Sequence, residues 1–263
     1  MSHRGIHTHF LTISTDFRQK ERLSGRNMKI IVLGGGGYVG SQILQKLGVM
    51  PVVSSIVSIN RSKAMMNNPS STVSWVQADV SKDYDKLKKE FEDATAIIST
   101  IGAFGTNEKM LEINGNVNIR AMRLAKEYAN IKRFVYISTV DNNLPEFILQ
   151  GYFQGKKNSE NELMKLYGKD GYVLKPSFIY GNRAVGSASI PLGLVGTPME
   201  LILNLPGFNK LKDLPGMKAI FTPPVGVETV AKAAALAATG KLNDEDANIL
   251  DVNLMNYCVK KYQ

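Results

Sequence analysis

The sequence predicts an α/β fold in which parallel strands form one doubly wound sheet, with a small irregular lobe at the C-terminal end. Apolar runs of strand length alternate with helical patterns between residues 28 and 180. A glycine-rich turn, in "LGGGGYVG", joins the first apolar run to the first helical pattern. Right-handed crossovers in such βαβ units put helices on both faces and bring the carboxyl ends of the strands to one edge, where ligands bind.

The elements follow one another regularly up to residue 180. Six apolar runs read as strands: "KIIVL", Val52–Ile59, "VSWVQA", "TAIIST", "RFVYIST" and "GYVLKPSFIY". Helical spacing of apolar residues predicts helices after the glycine turn and over Asp83–Glu92, Met110–Ala129 and Gly151–Tyr167. Past Tyr180 a Gly- and Pro-rich stretch over 182–225 precedes a helix at Val227–Thr239 and a last strand in "NILDVN". The chain therefore divides into a leader (1–27), a core (28–180) and a C-terminal cap lobe (181–263) packed on that core.

The composition excludes several kinds of site. The only cysteine is Cys258, so the chain forms no internal disulfide and no cysteine-based zinc or iron–sulfur site. All three histidines lie in the first nine residues, which removes Ser-His-Asp and Cys-His chemistry from the body of the chain. The net charge is +9. Residues 1–29 hold six basic and two acidic residues and therefore contribute +4 of this charge (6 − 2 = +4). The rest is only mildly basic and has no basic stripe interleaved with aromatics, so we predict no nucleic-acid binding.

The leader is basic and carries Ser and Thr, as import signals of mitochondria and plastids do. Asp16 and Glu21 depart from that pattern, and a disordered arm is the alternative. Its histidines (His3, His7, His9) could hold a stray metal ion, but no carboxylate or cysteine partners them, so we predict no metal site. The sequence contains no run of about 20 apolar residues, which is the length that a membrane span needs, so no membrane span is predicted. Contact with a membrane would be peripheral at most.

The glycine-rich turn has the spacing of a dinucleotide-binding loop. It reads Gly34-x-x-Gly37-x-x-Gly40, with Tyr38 and Val39 inside it, between the first strand and its helix. The glycines permit a tight turn, close approach of the backbone to a pyrophosphate and close packing of helix on strand. The helix then directs its N-terminal amides at the phosphates. The core is accordingly predicted to be a dinucleotide-binding Rossmann unit, and a purely structural turn is the alternative.

The end of the second strand, "SINRSK", bears on the choice of cofactor. NAD-preferring sites place an acidic residue there to hold the ribose 2′-hydroxyl, whereas this chain has Asn60 and Arg61. A guanidinium suits a 2′-phosphate because it offers a bidentate fork to the oxygens. NADP(H) is therefore favoured over NAD(H), although Arg61 could simply be an exposed loop arginine.

Two more strand ends supply candidate cofactor contacts. Asp79, followed by Val80 after the third strand, could accept a hydrogen bond from an adenine amino group or could cap the next helix. Thr100 and Gly102, in "STIGAFG", close the fourth strand with small residues, as a backbone passing close to a cofactor requires.

Tyrosine precedes lysine by four residues at four places. The pairs are Tyr84/Lys88, Tyr128/Lys132, Tyr152/Lys156 and Tyr257/Lys261. On a helix this spacing puts both side chains on one face, where an ammonium could acidify the phenol for proton transfer. Only Tyr152 opens the helix after the fifth strand, which ends in Ser138 and Thr139, at the same sheet edge as the glycine turn. Position therefore selects Tyr152 and Lys156.

Together these residues resemble the extended and atypical short-chain dehydrogenase/reductases over roughly residues 28–252. The resemblance rests on Gly34-x-x-Gly37-x-x-Gly40, Asn114 in "EINGNVNI", Ser138 in "FVYIST", Tyr152-x-x-x-Lys156 and Pro176 in "VLKPSFIYG". Within the family the chain looks most like an uncharacterised plastid subgroup of plants and algae. It is more distantly similar to the mitochondrial accessory protein of ubiquinone biosynthesis and to the nucleotide-binding accessory subunit of respiratory complex I. Pro176 would join the cofactor site.

The resemblance implies a role for each polar residue of this set. Tyr152 would be the general acid/base, and Lys156 would lower its pKa and hold the nicotinamide ribose. Ser138 would polarise the substrate carbonyl, and Asn114 would anchor a proton-relay water. A phenol with a pKa near ~10 is a poor base at neutral pH, so a nearby cation is physically required. Gly155, directly before Lys156, departs from expectation because glycine loosens the helix that must hold the pair.

These observations lead to two main hypotheses of function. The first is an NADP(H)-dependent oxidoreductase acting on a hydrophobic carbonyl or quinone-like compound in an organelle, with Tyr152 donating a proton. The second is a non-catalytic accessory or assembly subunit of a respiratory or photosynthetic membrane complex that keeps the nucleotide as a structural ligand. RNA binding through the basic leader is a third, less favoured, hypothesis. A homodimer through the family's four-helix seam is compatible with the resemblance.

The cap lobe and the leader suggest the substrate class and the compartment. The lobe is rich in apolar residues (Ile190, Leu192, Leu194, Met199, Leu201, Ile202 and Leu203). They suggest a hydrophobic substrate, or a protein or membrane surface, unless they are simply buried against the sheet. The resemblance and the leader favour an organelle, and a plastid over a mitochondrion.

Overall fold

The structure, a computed structural model, describes residues 28–62, 73–128, 130–140, 149–185, 188–191, 223–242 and 247–262. The predictions for the leader and for the apolar residues at 192–203 lie outside these ranges. The strands are β1 (Met28–Leu33), β2 (Val53–Asn60), β3 (Val73–Gln77), β4 (Ala96–Ser99), β5 (Arg133–Ile137), β6 (Gly171–Leu174), β7 (Ile179–Tyr180), β8 (Asn182–Val185), β9 (Ala188–Pro191), β10 (Val225–Gly226) and β11 (Ile249–Leu250).

The helices lie between the strands, as the βαβ prediction requires. They are α1 (Tyr38–Gly48), α2 (Tyr84–Phe91), α3 (Asn107–Leu111), α4 (Val117–Lys126), α5 (Gln150–Tyr167), α6 (Val227–Ala238) and α7 (Val252–Lys261). A π-helix at Glu112–Asn116 joins α3 to α4, and a 3₁₀ turn at Gly168–Asp170 follows α5.

Within the described ranges, seven strands form one sheet in the order β11–β6–β5–β4–β1–β2–β3. Every pairing within it is parallel. The strand order reverses at β1, because β2 lies on one side of it and β4 on the other. In a doubly wound sheet this switch point opens a crevice at the carboxyl ends of the strands, and ligands bind there. The prediction of a doubly wound parallel sheet is confirmed.

Two apolar cores cover the two faces of the sheet, as expected for strands buried on both sides. Alternate residues of β1 serve the two cores: Ile30 and Val32 face one, and Ile31 and Leu33 face the other, all with no exposed surface. The first core includes residues of α1, α6 and α7, and the second includes residues of α2, α4 and α5. The central strands are therefore rigidly held, and the residues that follow them inherit fixed positions.

Three elements differ from the sequence prediction. The sixth predicted strand is split, because β6 ends before Pro176, which has no N–H to donate, and β7 pairs instead with β10 in a separate sheet. The predicted helix at 110–129 begins at Asn107 and is interrupted by the π-helix. The predicted last strand is two residues long, because Asp251 caps α7 by accepting a hydrogen bond from the Leu254 amide at 2.8 Å.

Much of the predicted cap lobe belongs to the core layers. β11 extends the main sheet beside β6, and buried residues of α6 and α7 contribute to the same apolar core as α1. Nine of the twelve residues of α6 are buried, five of them alanine between positions 231 and 237, whose small side chains allow close packing on the sheet. The described residues between 225 and 262 are thus packed on the core, as predicted, and β11, α6 and α7 contribute to its layers.

Candidate active site

The glycine turn follows β1 and is shaped by close backbone contacts. Gly34 has φ of +84°, a conformation that favours glycine, and a Cβ at Gly40 would lie 2.4 Å from the Gly34 carbonyl oxygen. Gly37 precedes α1 and forms no side-chain cap, and the first turn of α1 contains no acidic residue. The N-terminal amides of α1 are thus left to an anionic ligand, which is the arrangement that a pyrophosphate requires.

The two residues inside the turn have different surroundings. Val39 packs against the core cluster beneath α1. The Tyr38 hydroxyl is buried and has no hydrogen-bond partner in the described part of the chain. A Cβ at Gly181 would lie 3.0 Å from that hydroxyl, so Gly181 leaves room beside it. A polar group of a bound nucleotide would satisfy this phenol, which supports the fit of the turn to a dinucleotide.

Asn60 ties the end of β2 to the glycine turn. Its side-chain oxygen accepts a hydrogen bond from the Gly36 amide at 2.7 Å, and its amide nitrogen donates to the Ser58 hydroxyl at 2.9 Å. Arg61 is exposed immediately beyond it. No negative charge therefore stands at the position that would hold a ribose 2′-hydroxyl, and a guanidinium is available beside it.

Asp79 lies beyond β3 and is not the cap of the next helix. Its Oδ1 accepts hydrogen bonds from the Ser81 amide at 2.9 Å and from the Ser81 hydroxyl at 2.6 Å, and these bonds hold the pKa of the carboxyl below its usual range. Helix α2 begins at Tyr84, with Asp83 in the N-cap position. The capping interpretation is therefore wrong, and the adenine contact stays a prediction. Val80 is buried beside this turn.

Thr100 and Gly102 close the crevice at the end of β4. The Thr100 hydroxyl donates hydrogen bonds to the carbonyls of Leu33 and Gly34, each at 3.0 Å, so it braces the glycine turn. A Cβ at Gly102 would lie 3.0 Å from the Asn114 side-chain oxygen and 3.6 Å from the Lys156 Nζ. A side chain at Gly102 would therefore crowd both of these buried polar groups.

Asn114 is completely buried in the π-helix, a local geometry that often marks functional sites. Its amide nitrogen donates to the carbonyls of Ala103 and Met110, both at 2.8 Å, and its side-chain oxygen accepts from the Ala103 amide at 3.2 Å. The side chain thus anchors the loop after β4. Its proposed role in a proton relay stays a prediction.

Helix α5 carries Tyr152 and Lys156 to the same edge of the sheet. The Tyr152 ring stacks on Phe104, with centroids 4.8 Å apart and planes 13° from parallel. The Lys156 Nζ donates to the Ile137 carbonyl at 2.7 Å and lies 5.8 Å from the centroid of the Tyr152 ring. The other described tyrosines of this spacing lie elsewhere: Tyr84 and Tyr257 are 40% and 55% exposed, and Tyr128 packs against Phe91.

Burial shifts the pKa values of both Tyr152 and Lys156. It raises the pKa of Tyr152 to about 12, although a hydrogen bond with Thr139 acts in the opposite direction. It lowers the pKa of Lys156 to about 7, although the charge of Glu160 acts in the opposite direction. The expected lowering of the Tyr152 pKa by Lys156 does not occur in this structure, because burial of the phenol dominates. At neutral pH Tyr152 is a protonated phenol, suited to donate a proton.

The two hydroxyls after β5 have separate partners. The Ser138 hydroxyl is 4% exposed and donates to Glu160 Oε1 at 2.5 Å. The Thr139 hydroxyl forms the hydrogen bond with Tyr152. Successive residues of an extended strand point to opposite sides, which explains why neighbours in sequence diverge here. Thr139, which the sequence placed beside Tyr152 without a role, is the hydroxyl that reaches the phenol.

Pro176 supports the site through its backbone. It is buried just after β6, and its carbonyl accepts a hydrogen bond from the Val140 amide at 3.0 Å. This bond fixes the start of the segment that follows Thr139. The structure thus brings the end of β6 next to the end of β5, as the predicted shared edge requires.

Gly155 does not loosen the helix, as the sequence suggested, but permits a close helix contact. A Cβ at Gly155 would lie 2.9 Å from the Gly115 amide nitrogen and 3.2 Å from the Asn114 carbonyl carbon. One turn later, the Ser159 hydroxyl donates to the Asn114 carbonyl at 2.9 Å. Glycine at position 155 therefore lets α5 lie directly against the π-helix, and this contact sets the distance between Lys156 and Asn114.

We expect Gly155→Ala to lower the free energy of unfolding by about 1–3 kcal/mol, because overpacking against backbone outweighs the gain of about 1 kcal/mol in helix propensity. Urea unfolding followed by circular dichroism measures the change. Gln154→Ala, at the exposed neighbouring position of α5, is the control and should be nearly neutral. A Gly155→Ala protein as stable as the wild type would contradict the close contact.

Two charged residues of the site were missed from the sequence. Glu160 follows Lys156 by four residues, and Lys175 stands in the otherwise apolar run "YVLKPSF"; both are only 8% exposed. The Lys175 ammonium lies 3.1 Å from Glu160 Oε2. The helical spacing of Glu160 and the charge inside a predicted buried strand were the available signals.

Within the described ranges no group of three or more His, Cys, Asp or Glu side chains could hold a metal ion. The same part of the chain contains no helix with the length and apolar character needed to cross a membrane.

Comparison with known proteins supports a nucleotide-binding site at this edge. A protein-family model described as NAD(P)H-binding matches residues 34–188. An uncharacterised chloroplastic protein of Arabidopsis thaliana is 39% identical over 226 residues, covering 84% of this chain and 73% of that protein. The mitochondrial protein FMP52 of Meyerozyma guilliermondii is 26% identical, covering 89% of this chain and 97% of that protein. The Bordetella bronchiseptica enzyme WbmF, solved with NAD+, superposes with a TM-score of 0.59 at 16% identity, covering 91% of this chain and 81% of that chain, which shows a shared fold.

Proposed function

Since the chain belongs to the NAD(P)H-binding family of Rossmann-fold proteins related to the short-chain dehydrogenase/reductases and epimerases, we propose that it is an NADP(H)-dependent oxidoreductase of hydrophobic carbonyl or quinone-like compounds. One observation carries the proposal. The phenol of Tyr152 and the ammonium of Lys156 lie at the sheet edge that also holds the glycine turn, and Gly102, a position without a side chain, lies close to the Lys156 Nζ.

The residues of this edge fit a dinucleotide. The turn at Gly34–Gly40 and the first amides of α1 would hold the pyrophosphate, and Asp79 would accept from the adenine. Lys156 would donate to the nicotinamide ribose. The bound cofactor supplies a hydride, and the protein supplies orientation, proton transfer and exclusion of water.

The protein's own contribution is a proton held close to the substrate oxygen. Tyr152 is protonated across the neutral range because burial raises the pKa of its phenol to about 12. Thr139 shares a hydrogen bond with that phenol and could bind the same substrate oxygen. The stacked ring of Phe104 shields one face of Tyr152 from water. These groups favour a reduction in which the developing alkoxide or quinol oxygen takes its proton from Tyr152.

The preference for NADP(H) rests on Asn60 and Arg61. An acidic residue after β2 would repel a 2′-phosphate, but Asn60 is neutral and is bonded to Gly36. The exposed guanidinium of Arg61 can pair with the phosphate.

We expect Arg61→Ala to raise the Kd for NADPH about tenfold, the loss of one charge-assisted contact, while the Kd for NADH stays unchanged. Titrations with NADPH and with NADH, each followed by quenching of the nucleotide fluorescence, give the two Kd values. Arg123→Ala is the matched control, because Arg123 is exposed and pairs with Glu162 away from the site. Equal weakening of both nucleotides would argue against a 2′-phosphate contact.

The aromatic stack of Phe104 on Tyr152 favours an apolar substrate. The direct test is oxidation of NADPH in the presence of short-chain quinones and apolar aldehydes. Turnover on one of these supports the oxidoreductase. Tight NADPH binding without turnover on any of them would overturn it.

The stacking of Phe104 on Tyr152 also favours the second candidate, a non-catalytic accessory or assembly subunit of an organellar membrane complex. In that case the covered phenol would not be used and the nucleotide would act as a structural ligand. Co-migration of the chain with a large membrane complex, together with NADPH binding without turnover, supports this alternative. We propose an organellar location, because named relatives are chloroplastic or mitochondrial, and a plastid is favoured.

A further inference from the structure

A buried cluster of charges lies behind Tyr152, and the proposed reaction does not use all of it. The cluster consists of Ser138, Lys156, Glu160 and Lys175, each no more than 8% exposed. Glu160 joins the others. One carboxylate oxygen accepts from the Ser138 hydroxyl at 2.5 Å, and the other lies 3.1 Å from the Lys175 ammonium.

Glu160 is also positioned to act on Lys156. It follows Lys156 by one helical turn on α5, which places both side chains on one face. The direct hydrogen-bond acceptor of Lys156 is the neutral carbonyl of Ile137, and the Tyr136 ring lies 4.7 Å from its Nζ. Neither of these groups carries a negative charge. An isolated ammonium in such surroundings would be costly to bury and would tend to lose its proton.

We propose that Glu160 is a positioning residue of this site, whose buried carboxylate keeps Lys156 charged, balances Lys175 and holds the Ser138 hydroxyl on the helix side of β5. The inference rests on the proposed function, because an ammonium at Lys156 is what would bind the nicotinamide ribose. Glu160 touches neither cofactor nor substrate and acts through Lys156.

Among the described residues, the phenols that face the cluster are neutral at physiological pH, and the remaining charge within the cluster is that of Lys175. Tyr136 is buried beneath Lys156, and burial raises its pKa well above the ordinary value. Tyr152 lies on the other side, also protonated. Lys175 approaches from the end of β6 and is the second cation. The ion pairs Arg120–Glu112 and Arg123–Glu162 lie on more exposed surfaces of α4, the π-helix and α5.

Removing the charge of Glu160 and removing the charge of Lys175 should shift the pKa of Lys156 in opposite directions. Burial lowers the pKa of Lys156 to about 7, and Glu160 raises it. Removing the negative charge with Glu160→Gln should therefore lower the Lys156 pKa further, by about one unit or more. Removing the competing cation with Lys175→Gln should raise it, because Lys175 repels the ammonium and shares the carboxylate. A loss of packing alone would expose Lys156 in both variants and raise its pKa in both.

The test is the titration of Lys156 in the full chain by NMR of carbon-13-labelled lysine, with the resonance assigned from Lys156→Arg. Wild type should titrate near pH 7, Glu160→Gln at least about one unit lower and Lys175→Gln higher. Glu162→Gln is the matched control, because it removes an acidic charge from the same helix at a position paired with Arg123 and not with Lys156, and it should leave the midpoint unchanged.

The second readout is the pH dependence of NADPH affinity. In the wild type the affinity should fall as pH rises through about 7, and in Glu160→Gln this fall should begin about one pH unit earlier. An unchanged Lys156 midpoint in Glu160→Gln would overturn the inference, as would shifts of the same sign in both variants. If Glu160→Gln does not fold, Glu160→Asp takes its place: the carboxylate is drawn back from Lys156, so the Lys156 pKa should fall by a smaller amount, and a rise would overturn the inference. A chain that binds no nucleotide would refute the proposed function, but the titration of Lys156 would still test Glu160.

Discussion

Replacing Tyr152 with phenylalanine is expected to lower kcat for NADPH-dependent reduction by a factor of about 10²–10⁴, while the Kd for NADPH changes less than about twofold. The substitution removes the proton donor and keeps the ring. The stack on Phe104, with centroids 4.8 Å apart, should therefore persist, and the glycine turn is untouched. Steady-state kinetics with the best substrate of the quinone and aldehyde panel, with a fluorescence titration of NADPH, measures both quantities.

The matched control for this variant is Tyr257→Phe. Tyr257 has the same four-residue spacing to Lys261 but lies on α7 and is 55% exposed, so its removal should leave kcat unchanged. Equal activity of Tyr152→Phe and wild type would show that proton transfer does not pass through this phenol. Loss of NADPH binding in Tyr152→Phe would show instead that the phenol is a cofactor contact.

The second large effect is expected from Gly40→Ala. The added methyl would lie 2.4 Å from the Gly34 carbonyl oxygen and 2.7 Å from the Gly35 Cα, and both are backbone atoms that cannot rotate away. We expect α1 to move off β1, with a loss of about 1–3 kcal/mol in the free energy of unfolding and a rise of more than about tenfold in the Kd for NADPH. Urea unfolding and nucleotide titration report the two losses separately.

Gly226→Ala provides the comparison for Gly40→Ala. Gly226 precedes α6 with φ of −65°, and the nearest atom to an added Cβ is 3.8 Å away, so alanine fits there. This variant should retain nucleotide binding and lose no more than about 1 kcal/mol in the free energy of unfolding, because alanine caps the start of α6 less well than glycine. If Gly40→Ala behaved like Gly226→Ala, the close approach of α1 to the turn would not be needed for binding.

The regular part of the fold was predictable from the sequence because local patterns and global topology agree. The first five strands and the helices between them appear where apolar runs and helical spacing place them. Elements that depend on single polar contacts were not predictable in the same way. The π-helix arises within an unbroken helical pattern. Helix α7 begins, and the last strand ends, where the Asp251 side chain accepts a hydrogen bond from the Leu254 amide.

The position of the candidate site was predictable from the sequence, but the hydrogen bonds and contacts between its residues were not. Topology alone selected Tyr152 among four tyrosines of equal spacing. The direction in which neighbouring hydroxyls point was not readable: Ser138 bonds Glu160 and Thr139 bonds Tyr152, and the predicted role of Ser138 stays a prediction. Gly155 was misjudged because helix propensity considers one helix in isolation, whereas this glycine serves a contact with a second one. The role of Glu160 depends on Lys175, which lies fifteen positions further along the chain.

The bracing of Gly34 by Thr100 spans 66 positions of the chain, because it bridges the seam between β1 and β4. The glycine turn gains this brace only where β1 and β4 lie side by side, so the braced turn requires a long-range contact and is absent from a chain that has only local structure. Any nucleotide that occupies the braced turn would bind the assembled state and not such a chain. Mass action would then couple folding to the local supply of cofactor, and a compartment poor in dinucleotide would hold a larger share of the chain unfolded.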